Sequence, residues 1–211
     1  MRLSLTYVFI ILNALVFFMW KTKSPIYMEQ NFAVSWTLLQ EGHWWVLLTS
    51  VFSHSWSVHF LVNMIVLRDF GGMIEEVFGK VFYLWFYLLA GVVGSLCHAL
   101  VSAFVLHNPD LPAVGASGAI CGLVLLFALV FPRRKLLIFW LIPLPAIFGG
   151  LLLIGLDLWG VYAQAGGGGL PIGHGAHLGG ALTGLVVYFV YIRGLVKKMR
   201  KSGPSLDDDE T

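Results

Sequence analysis

Apolar residues in this chain fall into long runs separated by short polar breaks. A helix needs about 20 apolar residues to cross the hydrocarbon core of a bilayer. Allowing a few polar interruptions, six segments qualify, at approximately 3–20, 57–78, 81–106, 116–131, 136–162 and 174–194. They predict an all-α membrane bundle over 1–194, followed by a basic, then acidic tail over 195–211 that reads as disordered. The fourth run is short, which fits a helix that starts below the membrane surface. Pro143 and Pro145 fall inside the fifth run and predict a kink there. The stretch between the first two runs is long and carries Trp36, Trp44, Trp45, Phe52 and Trp56. Aromatics of this kind favour the membrane interface, so part of this loop is expected to lie in the outer leaflet as short helices. Gly166 to Gly169 precede the sixth run and suit a mobile flap.

Composition strengthens the membrane assignment. The chain is 58% hydrophobic and 11% charged, with a mean hydropathy of +0.84. Soluble domains carry about 25% charged residues, so this chain cannot dress a water-facing surface, and no nucleic-acid partner is implied. The net charge of +2 says little, but its placement orients the bundle. Arg133, Arg134 and Lys135 follow the fourth run; Arg193, Lys197, Lys198, Arg200 and Lys201 follow the sixth. Both clusters belong on the cytoplasmic side, and with six spans both termini do too. Arg2 agrees, while Lys21 and Lys23 dissent. The first run reaches Lys21 without a small-residue cleavage site, which marks a retained span. No transit-like presequence is visible, which favours a bacterial inner membrane over an organelle. Cys97 and Cys121 lie in apolar runs and read as free buried thiols, without a disulfide framework.

The polar residues left inside the apolar runs share one depth. The second, fourth and sixth spans all run from outside to inside. His59 and Asn63 sit at the start of the second, Ser117 at the start of the fourth, and His174 and His177 at the start of the sixth. A polar side chain inside a membrane bundle is a functional candidate by default. Ser117 is flanked by glycine in Gly115-Ala116-Ser117-Gly118, a setting that lets other groups approach closely. Gly118 and Gly122 on the fourth span, and Ala176, Gly180 and Gly184 on the sixth, have the four-residue spacing that lets helix backbones meet. If those faces meet, the Ser117 hydroxyl reaches an imidazole of the sixth span. A serine hydroxyl needs such a base to become a nucleophile, and histidine titrates in the right range. No acid is evident beside the candidate histidines, so a Ser-His dyad is expected. His59 and Asn63, four apart, share a helix face. With the Ser117 amide they offer donors for an oxyanion.

These residues carry a family resemblance. His54-Ser-Trp-Ser-Val-His59-Phe-Leu-Val-Asn63, Phe70-Gly71-Gly72-Met-Ile-Glu75, Gly115-Ala-Ser117-Gly118 and Ala176-His177-Leu-Gly179-Gly180 with Gly184 follow in order over about residues 44 to 190. In this the chain resembles the rhomboid intramembrane serine proteases. The resemblance implies a rhomboid-type six-helix bundle, Ser117 as nucleophile, and His177 rather than His174 as base. It also implies oxyanion donors at His59 and Asn63, a structural Glu75, and no metal or cofactor. The substrates it implies are single-span membrane proteins, cut in the bilayer at small residues near helix breakers. It sets no oligomeric state.

Departures and rivals remain. Trp44-Trp45-Val46 lacks the arginine that often follows the first tryptophan in the family, which bears on loop anchoring. Cys121 stands where some members pack an aromatic on the catalytic histidine. Arg68-Asp69 is an unusual pair for a span and is expected to pair or snorkel inward. His54 reads as a loop anchor, His174 as a rim residue, and His43, His98 and His107 as non-catalytic. Asp157 falls near the outer end of the fifth run and suits an interface residue better than an acid catalyst. One rival is a rhomboid-like pseudoprotease that binds membrane helices without cleavage. The other is a small transporter, but transporters use internal repeats and midplane polar sites, and neither pattern is present.

Overall fold

The computed structural model describes residues 4–138 and 142–202. Helix α1, Leu5–Thr22, begins on a carboxylate far away in sequence. Ser4 Oγ, the Leu5 and Thr6 amides and Thr6 Oγ1 all donate to Glu75, at 2.6–2.9 Å. The first amides of a helix lack intrahelical acceptors, and negative charge is favourable there. Glu75 therefore serves as the cap that Ser4 does not supply, and it ties the first span to the second.

The segment after α1 forms three short helices, α2 (Pro25–Phe32), α3 (Trp36–Gln40) and α4 (Val46–Thr49), then a tight turn at Ser50–Phe52. Ser24 and Ser35 cap α2 and α3 by accepting from Tyr27 and Leu38 amides, and Pro25 opens α2. The missing arginine leaves the loop well held. His43 stacks on Trp45 with ring centroids 4.7 Å apart, and its Nδ1 donates to the Gln30 carbonyl at 3.1 Å. Trp20 Nε1 bonds Ser53 Oγ at 2.7 Å, and Val34 pairs with Ala113 just ahead of Ser117.

Among the described residues, five helical stretches are long and apolar enough to cross a membrane. They are α1, the rod Ser57–Phe78, Lys80–Phe104 (α7), Ala146–Ala165 (α9) and His174–Lys198. The rod comprises α5 (Ser57–Val66), a wide turn at Leu67–Gly71 and α6 (Gly72–Phe78). At that turn Arg68 and Asp69 pair with each other on the surface, at 2.8 Å. A shorter apolar helix, α8 (Ser117–Val130, 14 residues), is buried along almost its whole length between α7, α9 and α10 (His174–Val187).

Two expectations change here. The fifth run is not one kinked span. Lys135–Ile138 (β1) and Ile142–Pro145 (β2) form an antiparallel hairpin, with Pro143 opposite Leu137 and Pro145 opposite Lys135. Proline has no amide to donate and forces its predecessor to be extended. Ile142 and Leu144 each precede a proline, so helix starts only after Pro145. At the other end, α10 continues through a wide turn at Tyr188–Ile192 into α11, Arg193–Ser202. Gly203-Pro204 is the first stop signal after α10, so residues up to Ser202 are helical rather than disordered. The acidic run 207–210 lies outside the described residues.

Glycines decide how closely α8 and α10 approach. A Cβ at Gly180 would land on the Gly118 carbonyl, one at Gly184 would lie 2.6 Å from the Gly122 carbonyl, and one at Gly122 would lie 2.9 Å from the Gly180 carbonyl. Gly94 of α7 closes the same junction: its Cβ would sit 2.9 Å from the Ala176 carbonyl and 3.3 Å from Gly118 Cα. Neighbours of this kind are backbone and cannot step aside. We expect Gly180→Ala to lower the melting temperature sharply, with a cost of at least about 1–3 kcal/mol from overpacking. Gly155→Ala on α9, where a Cβ meets nothing within 4 Å, should leave the melting temperature unchanged or raise it. Equal melting temperatures for wild type and Gly180→Ala would count against this packing.

Candidate active site

Ser117 is the first residue of α8, presented by a turn that only glycine makes without strain. Gly115 has φ +135°, a backbone region that side chains disfavour, and a Cβ there would lie 2.6 Å from His59 Cε1. The His59 ring therefore lies directly over Gly115, on the side that also faces Ser117 Oγ. The turn is held from outside by Gly115 N–H on the Ser50 carbonyl at 3.0 Å and Ala116 N–H on His54 Nε2 at 3.4 Å.

His54 is fully buried and packs edge-on against His59 and Phe60. Burial first, and the neighbouring His59 second, push its imidazole down to about 3. A neutral ring is what its role requires, because only a bare Nε2 can accept the Ala116 amide. The unfolded chain takes up a proton near pH 6.5 that the folded chain refuses. The stability carried by neutral His54 is therefore complete above about pH 6.5 and falls as the pH drops toward 3. Melting temperatures should decline between pH 7 and 4, and decline less in His54→Gln, which keeps an acceptor without the titration. Parallel declines would remove His54 as the cause.

Across the junction, Ser117 Oγ lies 2.9 Å from His177 Nε2. His177 Nδ1 in turn lies 2.9 Å from Asp157 Oδ1. The same oxygen takes His174 Nδ1 at 2.7 Å. Both Asp157 and His174 are buried, at 7% exposure each. This corrects two expectations. Asp157 is not an interface residue and His174 is not at the rim; an acid does stand beside the candidate histidines. The expectation failed on depth. α9 runs on to Ala165, beyond the end of the apolar run at 162, so Asp157 lies eight residues, about 12 Å, inside that end. The signal was present, since Asp157 is the sole carboxylate between Asp110 and Asp207. One turn on, Gly160 makes room for the second histidine: a Cβ there would land in the His174 ring.

The electrostatic logic of the chain is directional. An ionised Asp157 accepts only, so each imidazole presents Nδ1–H to it. That leaves His177 Nε2 bare and facing the Ser117 hydroxyl. Asn63, one turn on from His59 in α5, is buried, and its Nδ2 donates to the His59 carbonyl at 2.9 Å. The Gly166–Gly169 loop is pinned by Gln164 Nε2, which donates to the Leu170 and Ile172 carbonyls. His98 Nε2 contacts the Leu111 carbonyl at 3.0 Å and holds the segment leading to Ser117. Cys121, one turn below Ser117, places its Sγ within 4.8 Å of donor atoms on Asp157 and His177.

Comparison with known proteins bears on the chain as a whole. A family model described as Rhomboid domain matches residues 41–194. The chain is 35% identical over 191 residues to RHOMBOID-like protein 12, mitochondrial, of Arabidopsis thaliana, covering 85% of this chain and 56% of that one. It is 31% identical over 211 residues to Rhomboid protein 1, mitochondrial, of Saccharomyces cerevisiae, covering 94% and 56%. It is 31% identical over 140 residues to Rhomboid protease GluP of Bacillus subtilis, covering 64% and 26%. The chain thus spans little more than half the length of the first two relatives and about a quarter of the third. With a family match across most of its length and apolar helices to carry it, this multi-pass membrane protein belongs to the rhomboid family.

Proposed function

We propose that this chain is an intramembrane serine endopeptidase that cleaves transmembrane segments of single-span membrane proteins. The observation that carries the proposal is the unbroken relay from Ser117 Oγ through His177 to Asp157, at 2.9 Å on each side of the imidazole. In this reading His177 takes the Ser117 proton as Oγ attacks a substrate carbonyl. Asp157 holds the tautomer that leaves Nε2 bare and stabilises the imidazolium as it forms. The relay is therefore a triad rather than the dyad expected from sequence, with His174 as a second donor that holds Asp157 in place. The oxyanion falls to the amides at the start of α8, which lack helical acceptors, with help from His59 and from Asn63 once its amide turns from the His59 carbonyl. His177 then protonates the leaving amine, and water releases the acyl-enzyme.

The same proposal takes six spans, α8 being the short one, with the basic clusters and both termini on the cytoplasmic side. A substrate helix must unwind to expose its carbonyl. The membrane is left unassigned, because the mitochondrial names among the relatives lend no support to a bacterial inner membrane.

The test uses purified protein in liposomes with a single-span substrate, alongside labelling by a fluorophosphonate. Cleavage and labelling together are expected. A folded protein that does neither, yet retains the substrate helix, is a pseudoprotease of the kind that only binds.

A further inference from the structure

The Cys121 thiol has no part in the relay, yet it faces it. Its Sγ, an oxygen of Asp157 and a ring nitrogen of His177 lie within 4.8 Å of one another. Cys121 and Cys97 are both free thiols. Cys121 and Asp157 also border a small cleft of about 10 Å³ whose other walls, among them Val124, Leu153 and Ala181, are apolar, and His177 does not line it. One sulfur, one imidazole and one carboxylate form a borderline-soft donor set that suits zinc and excludes magnesium and calcium. A closed structural zinc site takes four protein ligands; three leave a position for water or a hydroxyl.

We propose that Cys121, Asp157 and His177 form an inhibitory site for a zinc-type divalent ion. The inference rests on the reading of His177 as the base. Zinc binds the thiolate, so the Cys121 proton is released. It binds His177 through Nδ1, the nitrogen that faces Asp157, so the Nδ1 proton must leave that atom. A neutral imidazole keeps one proton, which then sits on Nε2. The net exchange is one zinc ion in and one proton out. With Nε2 protonated, His177 has no lone pair for the Ser117 hydroxyl, and the nucleophile cannot be activated. The ion is thus an inhibitor that competes with the working tautomer and leaves the bundle intact.

Cobalt reports the site without any need for activity. In full-length Ser117→Ala protein, Co²⁺ should give a thiolate-to-cobalt absorption band that saturates at one equivalent and is displaced by Zn²⁺. Cys121→Ala in that background should abolish the band, and Cys97→Ala should keep it. A band that survives Cys121→Ala, or no band in a folded protein, overturns the site. In the active protein, Zn²⁺ should suppress cleavage reversibly on chelation, and Mg²⁺ should not. Each variant is compared with its own metal-free rate. Cys121→Ala and Cys121→Ser should need about tenfold more zinc or beyond, since lost metal contacts commonly cost 10–100-fold in affinity. Cobalt binding with zinc-insensitive cleavage overturns the inhibition while leaving the protease reading intact. Absent cleavage with a Cys121-dependent band counts against the protease reading alone.

Discussion

Replacing Ser117 by alanine is expected to reduce cleavage of a membrane substrate by about 10⁴-fold or more in kcat, the scale on which serine hydrolases lose activity without their nucleophile. That corresponds to about 5 kcal/mol or more of transition-state stabilisation. Fluorophosphonate labelling disappears with it. The fold should be unaffected, because the hydroxyl caps no helix and its hydrogen-bond partner is His177. His177→Ala should be as severe, and the double variant no worse, since residues that act as one unit are not additive. Unchanged thermal unfolding separates loss of chemistry from loss of structure. Cleavage that survives Ser117→Ala would sink the assignment. The Cys121 thiol would then be the alternative nucleophile nearest to His177.

The second large effect is expected at Asp157. Asparagine has the same shape, but its amide can donate to Nδ1. His177 is then held with its proton on Nε2, the tautomer that cannot accept from Ser117. A loss of about 10²–10⁴-fold in kcat is expected, the upper end being the cost known when a triad carboxylate becomes an amide. KM should change little, because no substrate contact is removed. Asp157→Ala removes the partner of two buried imidazoles and should also lower the melting temperature. A purely structural role predicts the opposite split: Asp157→Asn folded and active, Asp157→Ala merely unstable. Full kcat in Asp157→Asn would therefore reduce the site to a dyad.

What could be read from the chain follows from how each feature is written into it. Ser117, His177, His59 and Asn63 stand out because polar side chains in apolar runs are few, and because they start spans of the same direction. The α8–α10 contact is legible because its glycines repeat at four-residue spacing. Asp157 obeys the same rule of rarity, but its depth depends on where α9 ends, and that end, at Ala165, lies a few residues beyond the apolar run. Pro143 and Pro145 hide a different feature, a hairpin made of residues that hydropathy alone extends into a helix. Gly94 and Gly160 belong to no four-residue glycine repeat, and their purpose is visible only when the Ala176 carbonyl and the His174 ring lie against them. The capping of α1 by Glu75 links residues some seventy positions apart, a distance at which no local pattern operates.

In the proposed protease, the length of α8 would fix where along a substrate the cut can fall. Fourteen residues rise about 21 Å, some 9 Å less than the hydrocarbon thickness. In the proposed orientation Arg133 and Arg134, which follow its far end, mark the cytoplasmic edge, so the shortfall lies on the outer side, above Ser117. A substrate residue that meets Ser117 has therefore travelled about 9 Å into the layer, equal to roughly six residues of helix. Moving a cleavage motif inward by a full turn should carry it past the serine, so the membrane itself acts as the ruler that selects the bond.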